Sequence, residues 1–248
     1  MGAREPAVLL LSPGVIKHTD ADFGLPHLVA LGSYLEAQLK LRVEIVDLGY
    51  EGGDRGELQR LLDSLGPYLL IGVSCYSSFD LLRVLSLARF LRERYPEAAL
   101  CVGGYHPSAL PGDFVGEGQP FDYAVRGEGE LPLARLCEAL LGGTRPPPGV
   151  LPSALVEDLD ELPPYRWELL SRYWPRARKM ASKLQLYLSR GCTHHCTFCM
   201  ERAKDDDEDP RLEGPGGESS GYRWRAFSAE RAVDELRRLD HHATLSRW

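Results

Sequence analysis

The stretch Tyr68-Leu69-Leu70-Ile71-Gly72-Val73-Ser74 gives the clearest indication of fold in this sequence of 248 residues. Its short, continuous apolar run is typical of a strand that is buried on both faces. The residues that follow, from 79 to 95, have the periodicity of a long amphipathic helix. A buried strand followed by a helix is the repeating unit of a parallel sheet.

The same unit recurs throughout residues 7–141. Further strands are expected at 7–12, 41–47, 99–102 and 122–126, and further helices at 25–39, 57–65 and 130–141. Five such units predict a doubly wound, Rossmann-like parallel sheet. Because ligands bind beyond the carboxyl ends of strands in such sheets, function is expected in four turns: Ser12–Gly14, Ser74–Ser78, Gly103–Pro107 and Gly127–Glu130.

The composition changes after the helix at 130–141. Gly142-Gly143, Pro146-Pro147-Pro148-Gly149 and Pro163-Pro164 predict a linker, interrupted by a helical stretch at 167–173. Leu184–Ser189 alternates as a strand does, and Ser228 is placed to cap a final helix with an apolar stripe of Ala232, Val233, Leu236 and Leu239. We therefore predict a Rossmann-like domain at 1–142, a linker at 143–183 and a second, incomplete domain at 184–248.

Charge and hydropathy exclude several classes of function. The net charge of −7 gives no global basic field for nucleic acid or an anionic membrane. The acidic run Asp205–Asp209 lies in a polar, glycine-rich tract and indicates a solvated loop. The early apolar run Ala7–Leu11 is far shorter than a membrane span and lacks the flanks of a signal peptide, so we expect a cytoplasmic protein.

Three of the six cysteines lie together in Ser189-Arg190-Gly191-Cys192-Thr193-His194-His195-Cys196-Thr197-Phe198-Cys199. In a reducing compartment, such a group indicates metal ligation rather than disulfides. Thiolates from one short loop can bind three corners of a 4Fe–4S cluster, which leaves one iron open for a small molecule. Cys75, Cys101 and Cys137 lie in apolar segments, where core packing is expected.

A structural zinc site is the competing interpretation of the cysteine loop. His194 or His195 would then be the fourth ligand. Histidines inside a three-residue spacer are poorly placed to complete a tetrahedron with both flanking cysteines, and a second Cys-x2-Cys pair is absent from the sequence. The pattern therefore favours the cluster, with both histidines on the loop surface.

The loop resembles the signature loop of radical S-adenosylmethionine (AdoMet) enzymes. The similarity covers Cys192, Cys196 and Cys199, the aromatic Phe198 and the preceding strand. This resemblance implies that the three cysteines hold a 4Fe–4S cluster, that the open iron binds AdoMet, and that Phe198 packs near the adenine. It also implies reductive cleavage of AdoMet, with an electron donor such as flavodoxin or ferredoxin.

A second resemblance covers roughly residues 7–165. The tracts 102–111, 122–130 and 158–163 are similar to the amino-terminal half of cobalamin-dependent radical AdoMet proteins, a group that contains many methyltransferases. It implies that Ser74, Gly103 and Gly104 line the groove for the nucleotide tail of cobalamin. Tyr76 or Ser77 would lie near the lower face of the corrin, and three further candidate contacts share the same expected edge: His106, Gly127 and Glu128.

The sequence departs from classical cobalamin modules in the loop after the first strand. Those modules carry Asp-x-His-x-x-Gly there, with the histidine on cobalt, whereas this loop contains no such motif between Ser12 and Asp20. Radical AdoMet relatives commonly lack the motif too. We therefore expect His18 and His106 to be loop or structural residues rather than cobalt ligands.

The resemblance implies a radical AdoMet barrel of about six βα units, whereas only one strand, the cysteine loop and one helix are found between Leu184 and Trp248. The chain thus resembles a truncated member: a fragment, a frameshifted product or a protein completed by a partner chain. Our first hypothesis is a cobalamin-dependent radical AdoMet protein with methyl-transfer or related radical chemistry on an unidentified small molecule or peptide. The alternatives are a non-catalytic cobalamin-binding module and a domain with a structural zinc loop.

Overall fold

The computed structural model describes residues 5–14, 22–51, 55–179, 183–194 and 224–242. Its strands, in chain order, are β1 (Ala7–Ser12), β2 (Asp22–Phe23), β3 (Val43–Asp47), β4 (Tyr68–Ser74), β5 (Ala99–Gly103), β6 (Tyr123–Val125), β7 (Gly149–Leu151), β8 (Lys183–Leu184), β9 (Ser189–Arg190) and β10 (Arg225–Ala226). The α-helices are α1 (Pro26–Leu39), α2 (Leu48–Glu51), α3 (Arg55–Leu65), α4 (Leu81–Arg94), α5 (Tyr105–Ala109), α6 (Glu130–Leu141), α7 (Trp174–Lys179) and α8 (Ala229–His242).

Six strands form one sheet in the order β3-β1-β4-β5-β6-β7, and every pairing in it is parallel. The doubly wound sheet predicted from the sequence is therefore confirmed, with a sixth strand added. From β1 the chain runs outward to β3 and then crosses back to β4 on the other side. This reversal leaves a crevice at the carboxyl ends of the central strands, which is the usual ligand position in open parallel sheets.

Side-chain alternation along β1 explains why both faces of the sheet are covered. Val8 and Leu10 belong to the hydrophobic cluster that contains α1 and α6, whereas Leu9 and Leu11 belong to the cluster that contains α3 and α4. All four side chains are buried. Such a strand has no solvated face, which accounts for its uninterrupted apolar sequence.

The tract predicted as a linker packs against this sheet instead of extending away from it. Gly149–Leu151 forms the edge strand β7, paired with β6. A 3₁₀ turn at Trp167–Leu170 and then α7 replace the predicted helix at 167–173. Prolines and glycines end these short elements, while the apolar residues between them enter the core: Val156, Leu159, Leu162, Tyr165, Trp167, Leu170, Tyr173, Trp174 and Ala177. The domain boundaries at 142 and 183 stay a prediction.

Alternate side chains in Leu184–Ser189 face the core, as predicted, but the segment does not form a continuous strand. Leu184, Leu186 and Leu188 contact the core, and Gln185 and Tyr187 are exposed. Within the ranges that the structure describes, ladder pairing occurs only at the two ends, where β8 pairs with β2 and β9 pairs with β10.

The final helix begins where its cap predicts but buries a different face. Ser228 Oγ accepts a hydrogen bond from Arg231 N at 3.2 Å. The predicted apolar stripe is wrong at Val233 and Leu236, which are 45% and 40% exposed, because the face toward Tyr165 is formed by Ala232, Glu235 and Leu239. None of the helices in the described ranges has the length and apolar character needed to cross a bilayer.

Candidate functional site: a cavity at the carboxyl edge of the sheet

A cavity of about 510 Å³ lies at the carboxyl edge of the sheet, between the central strands and the amino-terminal ends of α1 and α6. Its walls are mostly apolar, with contributions from Leu10, Leu28, Leu31, Val102, Val125 and Leu133. The segment before the cysteine loop contributes Tyr187, Ser189, Arg190 and Gly191 to the same cavity. The front sheet and the start of the second predicted domain therefore share one site.

Six of the eight residues predicted to contact cobalamin line this cavity: Ser74, Tyr76, Gly103, Gly104, Gly127 and Glu128. Ser77 and His106 do not. Ser77 caps a 3₁₀ turn, where its Oγ accepts a hydrogen bond from Phe79 N at 3.1 Å. His106 is buried with its Nε2 2.8 Å from Asp113 Oδ2 and its ring edge-on to Phe114. Both have structural roles in this fold.

The two adjacent glycines at the end of β5 serve different purposes. Gly104 has φ +116°, and a Cβ there would lie 2.5 Å from the carbonyl oxygen of Cys75, so the backbone requires glycine. A Cβ at Gly103 would meet only Val125, at 3.8 Å, so packing against protein does not require glycine there. The missing side chain at Gly103 instead leaves room in the cavity.

Beside the cavity, two glutamates and two arginines form a buried ionic network, which we call the Glu128 network: Glu128, Glu130, Arg190 and Arg225. Arg190 Nη2 lies 2.6 Å from Glu130 Oε1, and Arg190 Nη1 lies 3.3 Å from Glu128 Oε2. Arg225 forms a second ion pair with Glu128, whose Oε2 also accepts a hydrogen bond from Val156 N at 3.1 Å. The carboxylates are nearly inaccessible to solvent, with 6% and 3% of their side chains exposed.

The positive charges of the two arginines offset the free-energy cost of burying the two carboxylates. Burial by itself lowers the pKa of Arg190, but the carboxylates of Glu130 and Glu128 outweigh that effect and raise it above its usual value. The sequence predicts Glu130 in the first turn of a helix and Glu128 beside the ligand, but its local patterns point to neither arginine. Only the charged turn Arg126-Gly127-Glu128-Gly129-Glu130 hinted that cations must lie nearby.

Of the three cysteines predicted to hold the cluster, only Cys192 lies in the described residues. It is partly exposed, and His194 N lies 3.4 Å from its Sγ. Cys196, Cys199 and Phe198 lie outside the described residues, as do His18 and His195. In the part of the chain that the structure does describe, no three His, Cys, Asp or Glu side chains group as a metal site.

The three isolated cysteines are buried, as predicted. Burial raises the pKa of Cys75 and of Cys137 to about 12, so both stay protonated at neutral pH. Burial also raises the pKa of Cys101, which lines the cavity from the middle of β5. These thiols are therefore neither reactive nor ready to bind a metal.

His27, which the sequence analysis did not select, lines the cavity from the first turn of α1. Burial lowers the pKa of its imidazole to about 4, so the ring is neutral at physiological pH. Its position could not be foreseen, because the helical periodicity of α1 alone does not show which residue of the first turn faces the sheet edge.

His27 is expected to make the protein less stable in mild acid. The usual pKa of 6.5 applies to the unfolded chain, whereas the folded value is about 4, so the unfolded state binds more protons between these values. Stability is complete above the unfolded pKa and falls as the pH drops toward 4, by about 2 kcal/mol at about pH 5. His27→Leu should remove that part of the pH dependence in urea unfolding measured at about pH 7.5 and about pH 5.

The exposed His241 on α8 provides the matched control. His241→Leu should leave the pH dependence of the wild-type protein in place. An equal loss of stability between the two pH values in wild type and His27→Leu would contradict the assignment.

The parallel sheet and the cavity at its carboxyl edge define a Rossmann-like ligand-binding domain. Residues 26–137, which run from the start of α1 to α6, match the B12 binding domain family. The matched segment thus contains every strand of the sheet except β1 and β7, together with both helices that border the cavity.

The similarity to named relatives covers more of the chain than this domain. The chain is 35% identical to an anaerobic magnesium-protoporphyrin IX monomethyl ester cyclase from Synechocystis sp. over 58% of this chain and 31% of that protein. It is 24% identical to TokK, a cobalamin-dependent radical SAM methyltransferase from Streptomyces tokunonensis, over 75% of this chain and 27% of that one. The chain therefore spans about a third of the length of these relatives.

A solved structure shares the fold over nearly the whole chain. The structure of the radical AdoMet methyltransferase TsrM from Kitasatospora setae, with cobalamin and a [4Fe-4S] cluster bound, aligns with a TM-score of 0.64 at 18% identity. The alignment covers 96% of this chain and 46% of that one. The Rossmann-like fold of the B12-binding type that the resemblance implies is thus confirmed, and the similarity of fold to this structure covers nearly the whole chain.

Proposed function

We propose that this chain is the cobalamin-binding and cluster-binding part of a radical AdoMet protein that transfers methyl groups or performs related radical chemistry. The cavity at the sheet edge is the observation that carries the proposal. It is large, mostly apolar and has glycine backbone at its border, which suits a bulky ligand with a long tail. The match to the B12 binding domain family lies over this cavity.

The residues that line the cavity fit the chemistry of cobalamin. Gly103, where a Cβ would meet only Val125 Cβ at 3.8 Å, lets the ligand approach the strand end closely. Ser74 adds a hydroxyl without bulk, and the neutral imidazole of His27 can donate or accept a hydrogen bond. We assign the nucleotide tail to the groove lined by Ser74, Gly103 and Gly104, and the lower corrin face to the neighbourhood of Tyr76.

The proposal for the cluster rests on sequence. The Cys192, Cys196 and Cys199 spacing supplies three thiolates, and the relatives include a cobalamin-dependent radical SAM methyltransferase. When bound, the cofactors would supply a methyl-carrying cobalt and one electron for cleavage of AdoMet. In the described part of the chain, β9 ends two residues before Cys192 and Arg190 anchors that strand to Glu130, so the cysteine loop starts beside the cavity. We assign Phe198 to the adenine side and a flavodoxin-like or ferredoxin-like protein as electron donor.

Anaerobic binding and reconstitution test both halves of the proposal. The purified chain should bind hydroxocobalamin in a one-to-one ratio, and it should take up iron and sulfide with the broad visible absorption of a 4Fe–4S cluster. Cys196→Ala should lose most of the iron, whereas the matched control Cys137→Ala, a buried cysteine far along the chain, should retain it. Failure to bind hydroxocobalamin overturns the cavity assignment. Unchanged iron in Cys196→Ala, or zinc in place of iron, overturns the cluster.

A non-catalytic cobalamin-binding module is the second candidate. The observation that favours it is the match to the B12 binding domain family, which covers residues 26–137 and does not include the cysteine loop. Formation of 5′-deoxyadenosine from AdoMet under a strong reductant would exclude it, and cobalamin binding without any such product would support it.

A further inference from the structure

The Glu128 network lines the cavity and is continuous in sequence with the start of the cysteine loop. Glu128, Glu130 and Arg190 line the cavity, and Arg190 also lies two residues before Cys192 in the strand that leads into the cysteine loop. Arg225, on the strand that returns after the loop, pairs with Arg190 in the β9–β10 ladder and forms its ion pair with Glu128. Both strands that flank the loop are thus held by one turn of the front domain.

We propose that this network couples the two sites, so that occupation of the cavity by cobalamin strengthens assembly of the cluster in the loop, and the reverse. The inference rests on the proposed function and adds to it a positioning role for Glu128, Glu130, Arg190 and Arg225.

The geometry of the network supports coupling because hydrogen bonds restrict the movement of the turn that carries both carboxylates. Gly127 N donates a hydrogen bond to Ser108 Oγ at 3.0 Å, and Glu128 Oε2 accepts one from Val156 N at 3.1 Å. A ligand that fills the cavity packs against this turn and fixes it. Ion pairs shielded from water are stronger than exposed ones, so a fixed turn also fixes Arg190.

Fixing Arg190 has a consequence for the loop. β9 contains only two residues, and among the described residues it pairs only with β10, so ladder hydrogen bonds alone hold it weakly. The ion pairs of Arg190 and Arg225 add a restraint on both strands, beside the hydrogen bonds from Tyr165 Oη to Tyr187 O and from Phe227 N to Leu188 O. When one cofactor has ordered them, the second binds with a smaller loss of conformational entropy, which gives positive coupling.

Linkage requires the coupling to be equal in both directions, so it can be measured on cobalamin alone. We expect the cluster-reconstituted chain to bind hydroxocobalamin at least about fivefold more tightly than the cluster-free chain, at the lower end of common coupling factors. Glu130→Gln and Arg190→Lys should reduce this ratio to about one while each still binds hydroxocobalamin. The control Arg237→Met, at an exposed ion pair with Asp234 on α8, should keep the full ratio.

The outcomes separate the two proposals. Equal affinity of the cluster-free and cluster-reconstituted wild-type chains overturns the coupling and leaves the proposed function standing. A full ratio in both Glu130→Gln and Arg190→Lys shows that the coupling does not pass through the network, and overturns the inference. If neither wild-type form binds hydroxocobalamin, the proposed function fails first. If one of the two variants does not fold, the ratio measured on the other decides whether the coupling passes through the network.

Discussion

Replacement of Arg190 by methionine is expected to lower the free energy of unfolding by about 3–5 kcal/mol, the cost of breaking a buried ion pair from one side. Methionine retains much of the length of the side chain but none of its charge. Glu130, 3% exposed, would lose its cation, and Glu128 would retain only Arg225. Urea unfolding followed by circular dichroism measures the loss directly.

A double variant separates the burial of charge from the loss of packing. Adding Glu130→Gln to Arg190→Met removes the carboxylate that the first change left unpaired, so the double variant should be more stable than Arg190→Met alone. Arg237→Met, at the exposed pair with Asp234, should change stability by less than about 0.5 kcal/mol. A loss below about 1 kcal/mol in Arg190→Met would mean that the carboxylates find water or another partner.

The Glu128 network also shows why part of the site could not be predicted from the sequence. The strand runs and helical stripes of the front domain follow from local patterns, and the residues at the carboxyl edge follow from the rule for parallel sheets. In contrast, Arg190 lies 60 positions from Glu130, and Arg225 lies 97 positions from Glu128. Local periodicity contains no information about such pairs. The turn Arg126-Gly127-Glu128-Gly129-Glu130 indicated a charged edge without showing its partners.

The segment at 143–183 illustrates a second limit of sequence reasoning. Its prolines and glycines exclude long helices and strands, and such a composition predicts a linker. Burial follows tertiary packing instead: Trp167 is fully buried, and Tyr173 accepts a hydrogen bond at its hydroxyl from Asp47 N at 2.9 Å. A segment without regular secondary structure can therefore contribute to the hydrophobic core when its apolar side chains pack against a face of the sheet that the helices leave uncovered.

Replacement of Gly104 by alanine is expected to lower the free energy of unfolding by about 2–4 kcal/mol, because backbone strain and steric overlap act together. At φ +116° an L side chain is disfavoured, and its Cβ would lie 2.5 Å from Cys75 O. Relief requires the backbone to move. Gly104 O accepts a hydrogen bond from Ser108 Oγ at 2.7 Å, and the same Oγ accepts one from Gly127 N, so movement would also reach the turn that holds Glu128.

The neighbouring glycine gives a matched control that separates folding from binding. Gly103→Ala adds the same methyl group where the nearest atom is Val125 Cβ at 3.8 Å, so its unfolding curve should remain close to that of wild type. Its methyl group would project into the cavity, and hydroxocobalamin should bind more weakly although the fold is intact. Gly104→Ala should lose stability first, and its binding should fall because the turn has shifted. If the two variants are equally stable, the positive φ at Gly104 is not what the fold requires. If Gly103→Ala binds as wild type does, the ligand lies elsewhere along the sheet edge.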